Sequence, residues 1–170
     1  TDDYILVPQT PSLDTIYNNG GGGMSVSFWM KIDNLNPGIG GGALALGQGS
    51  DSEWEIYGNA GGSHPGRISI YINHDGGTNL LVRSSDGIVA AGVWEHYTFI
   101  WNSGAAASSV IMYKNGAALT PSATTNGVGS PRDNASEGLL LGSLFASAQG
   151  LNGSLDEVRI YNRALSASEI

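Results

Sequence analysis

The stretch Met24–Ile32 reads MSVSFWMKI and alternates strictly between two kinds of side chain. Its even positions are all large and apolar, whereas its odd positions carry two serines, Trp29 and Lys31. Because successive side chains of a β-strand point to opposite faces, the stretch predicts a strand with one face buried and the other turned outward.

The same period recurs along the chain between clusters of Gly, Asn, Asp and Ser. In Arg67–Asn73, for example, isoleucines alternate with Ser69, Tyr71 and Asn73. Such segments predict about ten strands, and strands with one apolar face each favour two antiparallel sheets packed face to face. The remaining predicted strands are Asp3–Pro8, Ala43–Leu46, Glu53–Tyr57, Asn79–Ser84, Glu95–Trp101, Ser109–Lys114, Gly138–Leu141 and Ser154–Tyr161.

The composition supports one turn-rich β domain. The 170 residues include 26 Gly, 6 Pro and no Cys, and Gly is costly inside helices but favourable in tight turns. With 7 Lys and Arg against 15 Asp and Glu, the net charge of −8 excludes a basic nucleic-acid binder. No apolar run in the sequence approaches the roughly 20 residues of a membrane-spanning helix, so no membrane insertion is predicted. The only helical signal is the start of a capping box from Ser166 to Glu169.

The segment Gly153–Ser166, followed by Glu169 and Ile170, closely resembles the closing strand of bacterial laminin-G-like domains, within the concanavalin A-like lectin/glucanase superfamily. The resemblance implies an all-β fold, a two-sheet antiparallel jelly-roll sandwich of the concanavalin A-like type. It also implies that residues 1–170 form a single laminin-G-like domain, a module of a larger protein. Four other segments resemble further motifs of the family in the same order: Asp3–Pro8, Val26–Lys31, Trp94–Phe99 and Met112–Gly116.

The resemblance has further consequences for individual residues. It implies that Trp29, Trp94 and Trp101 pack in the core. It also implies a structural calcium ion, because in related glucanases an Asp at the start of the closing strand holds calcium together with backbone oxygens, and Asp156 matches that Asp.

The calcium site would draw on both ends of the chain. If the first and last strands pair, as the family implies, Asp3 or Asp2 lies beside Asp156 as a further ligand. Carboxylate and carbonyl oxygens are the donors that calcium prefers. The alternative is that Asp156 only caps a turn.

Aromatic and polar residues concentrate between positions 54 and 75 in a pattern typical of a sugar-binding surface. Pyranose rings stack their C–H faces on Trp and Tyr, while Asn, Asp and His bind the hydroxyls. The alternative is that Trp54 or Tyr71 packs in the core, since both residue types bury large areas. The predicted ligand-binding residues are Trp54, Tyr57, His64, Tyr71, Asn73, His74 and Asp75.

These features predict a non-catalytic, lectin-like carbohydrate-binding module of a secreted or cell-surface protein. Its expected partners are a polysaccharide or other glycan and further domains of the same chain. An adhesion or spacer module is the alternative. Glycosidase activity is not expected, because Asp51, Glu53 and Glu55 share one strand parity but depart from the Glu-x-Asp order of glucanases with this fold. A solvated acidic strand face explains the three carboxylates better.

Overall fold

The computed structural model of the chain describes residues 4–17, 23–35, 40–46, 53–59, 64–133, 138–145 and 148–170. The α-helix α1 spans Pro11–Tyr17 and a 3-10 helix spans Ala107–Ser109. Neither helix in the described ranges has the length and hydropathy needed to cross a membrane. The strands are β1 (Ile5–Val7), β2 (Met24–Ile32), β3 (Gly40–Leu46), β4 (Trp54–Asn59), β5 (Arg67–Ile72), β6 (Leu80–Arg83), β7 (Glu95–Trp101), β8 (Val110–Lys114), β9 (Ala117–Leu119), β10 (Ala123–Thr125), β11 (Leu139–Leu141), β12 (Ser143–Phe145), β13 (Ala148–Gly150) and β14 (Gly153–Tyr161).

The strands form two main sheets. The seven-stranded sheet has the order β1-β11-β3-β4-β5-β6-β10, and the five-stranded sheet has the order β14-β2-β7-β8-β9. Neighbouring strands within both sheets pair antiparallel. A third, two-stranded unit is the hairpin β12–β13, which contacts β3. The predicted all-β, two-sheet antiparallel jelly-roll sandwich is thereby confirmed.

Strand alternation places the core between the sheets. The even positions of β2 and the three isoleucines of β5 are buried in one apolar cluster, as their spacing predicts. Phe28 lies at its centre, with its ring centroid 6.1 Å from that of Tyr97 and 6.2 Å from that of Phe99. The outward faces of the two sheets therefore carry the side chains that are available to a ligand.

An ion pair between the buried Glu95 and the partly exposed Lys114 lies beside this core. The Oε1 atom of Glu95 lies 2.6 Å from Lys114 Nζ, and Oε2 accepts hydrogen bonds from the Tyr97 hydroxyl at 2.6 Å and from the Ala90 N–H at 3.2 Å. Lys114 Nζ also donates to the carbonyl oxygen of Ile88. The pair thus fastens the segment between β6 and β7 to the end of the sandwich.

The first and last strands do not pair, so that expectation is wrong. β1 pairs with β11 at the edge of the seven-stranded sheet, whereas β14 pairs with β2 at the edge of the five-stranded sheet. The two edges nevertheless flank one cleft, which Tyr4 and Ile5 line on one side and Asp156 on the other. The first and last strands therefore flank one cleft at the sandwich edge and do not share a sheet.

The segment after β14 folds back over the outward face of the five-stranded sheet. Ser25 Oγ donates to the carbonyl oxygen of Arg163 at 2.9 Å and accepts from the N–H of Leu165 at 2.9 Å. The predicted capping box forms its characteristic contact, because the Ser166 N–H donates to the Glu169 carboxylate at 2.9 Å. A turn follows there instead of a helix.

Candidate functional site

The predicted sugar-binding patch divides into buried and outward residues. Trp54 is only 1% exposed, because it shares a strand face with Ile56 and points into the core. Its assignment to the ligand surface is therefore wrong, and the alternative core placement is correct. Tyr57 and Tyr71 have the opposite parity and are partly exposed on the outward face.

Asn73 and His74 are buried too, which also contradicts their assignment. The segment between β10 and β11 covers them: the Arg132 N–H donates to the Asn73 carbonyl oxygen at 2.9 Å, and His74 forms a bridge with Pro131. The His74 ring lies so close to Gly127 that a Cβ there would meet ring atoms at 2.7 Å. Both residues hold a loop in place and are out of reach of a ligand.

His64 and Asp75 are exposed but lie at opposite ends of β5. The Nδ1 atom of His64 lies 3.3 Å from Asp86 Oδ2, and Asp86 also pairs with Arg67 at 3.0 Å. Asp75 Oδ1 accepts a hydrogen bond from the Ser130 N–H at 2.7 Å, which closes a loop contact. The structure therefore does not bring these two residues together with the tyrosines.

Three neighbouring strands, β4 to β6, present one polar group of side chains to the outside. Glu55 of β4, the central strand, lies opposite Tyr71 of β5. In the adjacent row Tyr57 lies opposite Ser69, which is itself buried, and Ser69 lies opposite Arg83 of β6. We refer to the four partly exposed side chains, Glu55, Tyr57, Tyr71 and Arg83, as the tyrosine face. The two tyrosines are diagonal neighbours on adjacent strands, so one ligand can contact both rings.

Polar contacts hold both tyrosine rings in place. Burial raises the pKa of Tyr57, and the contact with the Arg83 guanidinium opposes this rise without cancelling it. The Tyr57 hydroxyl is therefore protonated at neutral pH and can donate as well as accept. The Tyr71 hydroxyl accepts a hydrogen bond from Asn79 Nδ2. The face thus combines two oriented aromatic rings with a carboxylate and a guanidinium.

A second outward aromatic group, which the sequence pattern was not taken to predict, lies on the five-stranded sheet. Trp29 and Trp94 are 40% and 42% exposed, so the implied core placement is wrong for both, whereas Trp101 is buried as implied. Trp29 alternates with the buried Phe28 and Met30 and therefore faces outward. The alternation of apolar residues in β2 predicts this outward position.

Five residues form this group, which we call the tryptophan platform: Trp29, Lys31, Trp94, His96 and Asn115. Trp29 lies opposite His96 of β7, with the ring centroids 5.4 Å apart. Lys31 Nζ lies 5.8 Å from the centroid of the Trp94 ring, within the range of a cation–π contact. The four members other than Lys31 line a cavity of about 550 Å³ together with Gly116 and Ile170.

Of the predicted calcium ligands, Asp156 lies within the described residues, whereas Asp2 and Asp3 lie outside them. Asp156 is exposed at a bulge of β14, and its Oδ1 accepts a hydrogen bond from the Glu157 N–H at 2.8 Å, the kind of turn contact that the alternative interpretation expects. Asp33 lines the same cleft. Within the described ranges, no three His, Cys, Asp or Glu side chains gather at one point.

The acidic trio does not form a solvated strand face. Asp51 lies outside the described residues, Glu53 is buried, and Glu55 is partly exposed on the tyrosine face. The interpretation as three solvated carboxylates is therefore wrong for Glu53.

Comparison with known families agrees with this architecture. The laminin-G profile described as the concanavalin A-like lectin/glucanases superfamily matches residues 1–170. The chain therefore belongs to this superfamily, which confirms the resemblance of its closing strand. Among curated protein sequences none matches the chain.

Solved structures with the same fold come from several kinds of protein. The CBM40 domain of the Ruminococcus gnavus IT-sialidase, bound to α2,3 sialyllactose, superposes with a TM-score of 0.64 at 16% identity, covering 98% of this chain and 94% of that chain. A second similar structure is domain 4 of AbnA, a GH43 extracellular arabinanase from Geobacillus stearothermophilus, in complex with arabinotriose. It superposes with a TM-score of 0.63 at 19% identity, covering 98% of this chain and 69% of that chain.

The receptor binding domain of botulinum neurotoxin mosaic serotype C/D gives a TM-score of 0.67 at 16% identity, covering 98% of this chain and 38% of that chain. At these identities the three likenesses show the fold alone.

Proposed function

We propose that this protein is a non-catalytic carbohydrate-binding module that binds a glycan across the tyrosine face. The observation that carries the proposal is the outward placement of Tyr57 and Tyr71 on neighbouring central strands, beside Glu55 and Arg83. Aromatic rings next to hydrogen-bonding side chains are the combination that a sugar ring requires.

Binding would proceed by stacking and hydrogen bonding on a preformed surface. The two tyrosine rings offer apolar faces to the C–H groups of a sugar, while the Tyr57 hydroxyl, the Arg83 guanidinium and the Glu55 carboxylate bind its hydroxyls. Because the rings are already oriented by Arg83 and Asn79, little side-chain entropy is lost on binding. A surface of this kind gives weak single-site affinity, which attachment to other domains of a secreted or cell-surface chain would strengthen.

Superfamily membership and the bound ligands of two similar folds support a glycan as the ligand class. The sialidase module holds sialyllactose, and the arabinanase domain holds arabinotriose. Sialyllactose is anionic and arabinotriose is neutral, so the two together favour carbohydrate binding without fixing the sugar.

Alanine substitutions on the tyrosine face test the proposal. Tyr57→Ala and Tyr71→Ala should each weaken retention in affinity gels containing the preferred polysaccharide by about fivefold, since each removes one stacking partner worth about 1 kcal/mol. Tyr113→Ala, a partly exposed tyrosine of β8 on the other sheet, is the matched control and should bind normally.

If Tyr57→Ala and Tyr71→Ala are both retained like the wild-type protein, the assignment of the tyrosine face as the glycan site is contradicted. Retention by no polysaccharide in a broad panel would favour the adhesion or spacer alternative. Reducing-sugar release from the same panel, abolished by Glu53→Gln, would contradict the non-catalytic role.

We also propose that the cleft at the sandwich edge holds a structural calcium ion. Asp156 and Asp33 contribute carboxylates to the cleft, and Tyr4, which directly follows Asp2 and Asp3 in the sequence, lines its other side. Oxygen donors of this kind suit calcium. Bound calcium would neutralise the Asp33 and Asp156 carboxylates, which both line the cleft.

Calcium should therefore raise the melting temperature, and a chelator should lower it. At free calcium about 100-fold above its dissociation constant the gain is about 2.7 kcal/mol, which thermal unfolding monitored by circular dichroism would detect. Asp156→Asn should abolish the shift, while Asp75→Asn, an exposed loop carboxylate elsewhere, should retain it. Equal melting temperatures with calcium and with chelator would contradict the site.

A further inference from the structure

The tryptophan platform exposes aromatic surface that the core does not require. The chain has four tryptophans, and Trp54 and Trp101 are almost completely buried whereas Trp29 and Trp94 are not. Two large aromatic side chains beside one cavity form a concentrated apolar patch, and such patches mark binding sites more often than isolated exposed residues do.

The platform is rigid before any ligand arrives. Trp29 rests against the His96 ring, and Lys31 lies over Trp94. The backbone of His96 exchanges two hydrogen bonds with Asn115, one to its side chain and one to its main chain, both at 2.8 Å. Asn115 is fixed in turn, because it and Gly116 have φ values of 49° and 78°, the left-handed conformations of a tight hairpin turn.

Polar groups with spare hydrogen-bonding capacity surround the rings. Within the described ranges the His96 imidazole forms no hydrogen bond, and Asn115 Nδ2 remains available to donate. Burial lowers the pKa of His96, and the charge of Arg159 lowers it further. The imidazole is therefore neutral at pH 7, and one ring nitrogen can donate while the other accepts.

The charges near the platform compensate one another. Lys31 Nζ lies 3.8 Å from Asp33, and Arg159 forms an ion pair with Glu157. No uncompensated cationic cluster is present on this part of the described surface to attract a carboxylate or sulfate group. A neutral ligand therefore fits the platform better than an anionic one.

We propose that the tryptophan platform is a second carbohydrate site, on the sheet opposite to the tyrosine face, where Trp29 and Trp94 stack on a neutral pyranose and His96 and Asn115 bind its hydroxyls. The proposal rests on ring exposure and geometry on the five-stranded sheet alone, and it holds whether or not the tyrosine face binds a glycan.

Tryptophan fluorescence separates this site from the rest of the molecule. Acrylamide quenches exposed tryptophans, and here these are Trp29 and Trp94. Saturation with the preferred sugar among cellohexaose, mannohexaose and xylohexaose should protect this emission from acrylamide in the wild-type protein and equally in Tyr71→Ala. Trp29→Ala and Trp94→Ala should each weaken binding about tenfold, and Trp29→Phe should retain most of the affinity.

Ile111→Ala supplies the control, because Ile111 is an exposed apolar side chain on the same sheet, outside the platform. Three results would overturn the proposal: no protection by any of the three hexasaccharides at millimolar concentration, protection lost in Tyr71→Ala but kept in Trp29→Ala, or protection that appears without sugar as the protein self-associates. Loss of binding in Tyr57→Ala and Tyr71→Ala alone would support the tyrosine face and contradict the platform, so the two proposals fail separately.

Discussion

Replacing Trp54 by alanine should lower the free energy of unfolding by about 3–5 kcal/mol, the loss typical of removing a large aromatic side chain from a core. Trp54 belongs to the central apolar cluster and lies opposite Ile72 of β5 in the sheet. The cavity left behind would remove van der Waals contacts from the side chains around it. Chemical denaturation of wild-type and variant protein measures the difference directly, and Trp54→Phe should lose clearly less because it retains an aromatic ring.

A variant without an aromatic ring distinguishes a core role from a ligand role, because leucine cannot stack on a sugar as an aromatic ring does. If Trp54 acts only in the core, folded Trp54→Leu should bind glycans with wild-type affinity. A folded Trp54→Leu protein that binds no glycan would contradict the core assignment and return Trp54 to the ligand surface.

Replacing Glu95 by alanine should lower the free energy of unfolding by about 1–3 kcal/mol, because removing a buried hydrogen-bond acceptor leaves its donors unsatisfied. Lys114 would lose its carboxylate partner, and the Tyr97 hydroxyl and the Ala90 N–H would lose their acceptor. Arg163→Ala breaks the exposed pair with Glu169, at 2.7 Å, and is the control. Its loss should be much smaller because solvent screens that pair. If denaturant titration shows equal losses of unfolding free energy in Glu95→Ala and Arg163→Ala, the stabilising role assigned to the Glu95–Lys114 pair is contradicted.

The contribution of Glu95 to the free energy of unfolding should also depend on pH. Burial alone would raise the pKa of this carboxyl, but hydrogen bonds from Lys114, Tyr97 and Ala90 outweigh burial and hold the pKa below its ordinary value of 4.5. A depressed folded-state pKa gives stability that is fully present above the unfolded value and is lost as the pH falls through the folded value. The difference in stability between wild type and Glu95→Ala should therefore narrow below pH 4.5.

The alternation of apolar residues predicts most of this fold correctly. β2 and β7 begin and end where the sequence indicates, because long strands with one buried face have a strict period. The helix α1 was missed, although Thr10 and Pro11 are a typical N-cap and first helical residue; the Leu13 N–H donates to the Thr10 carbonyl oxygen at 2.9 Å. The short strands β9, β10, β12 and β13 were also missed. They contain few large apolar residues, whereas β1 and β11, which are equally short, consist entirely of such residues.

The candidate site was less accessible to prediction, for two different reasons. Asn73 and His74 follow the end of β5, and a loop more than fifty residues further along the chain buries them. Nothing local in the sequence indicates such long-range cover. Trp54 and Trp29, in contrast, could have been placed by parity: Trp54 has the parity of Ile56, and Trp29 that of Ser27 and Lys31. For Trp29 the alternation of β2 gives the correct outward placement, whereas the family resemblance implies the wrong one.

An NMR titration tests glycan recognition by the seven-stranded sheet most directly. Isotopically labelled protein is titrated with its preferred glycan, and the shifts of the assigned backbone amide signals are followed. The largest shifts are expected in β4, β5 and β6 around Tyr57, Tyr71 and Arg83. Smaller shifts are expected in the other strands of this sheet. A binding glycan that leaves these three strands unshifted, or a broad panel in which no glycan shifts any signal, would contradict the proposed function.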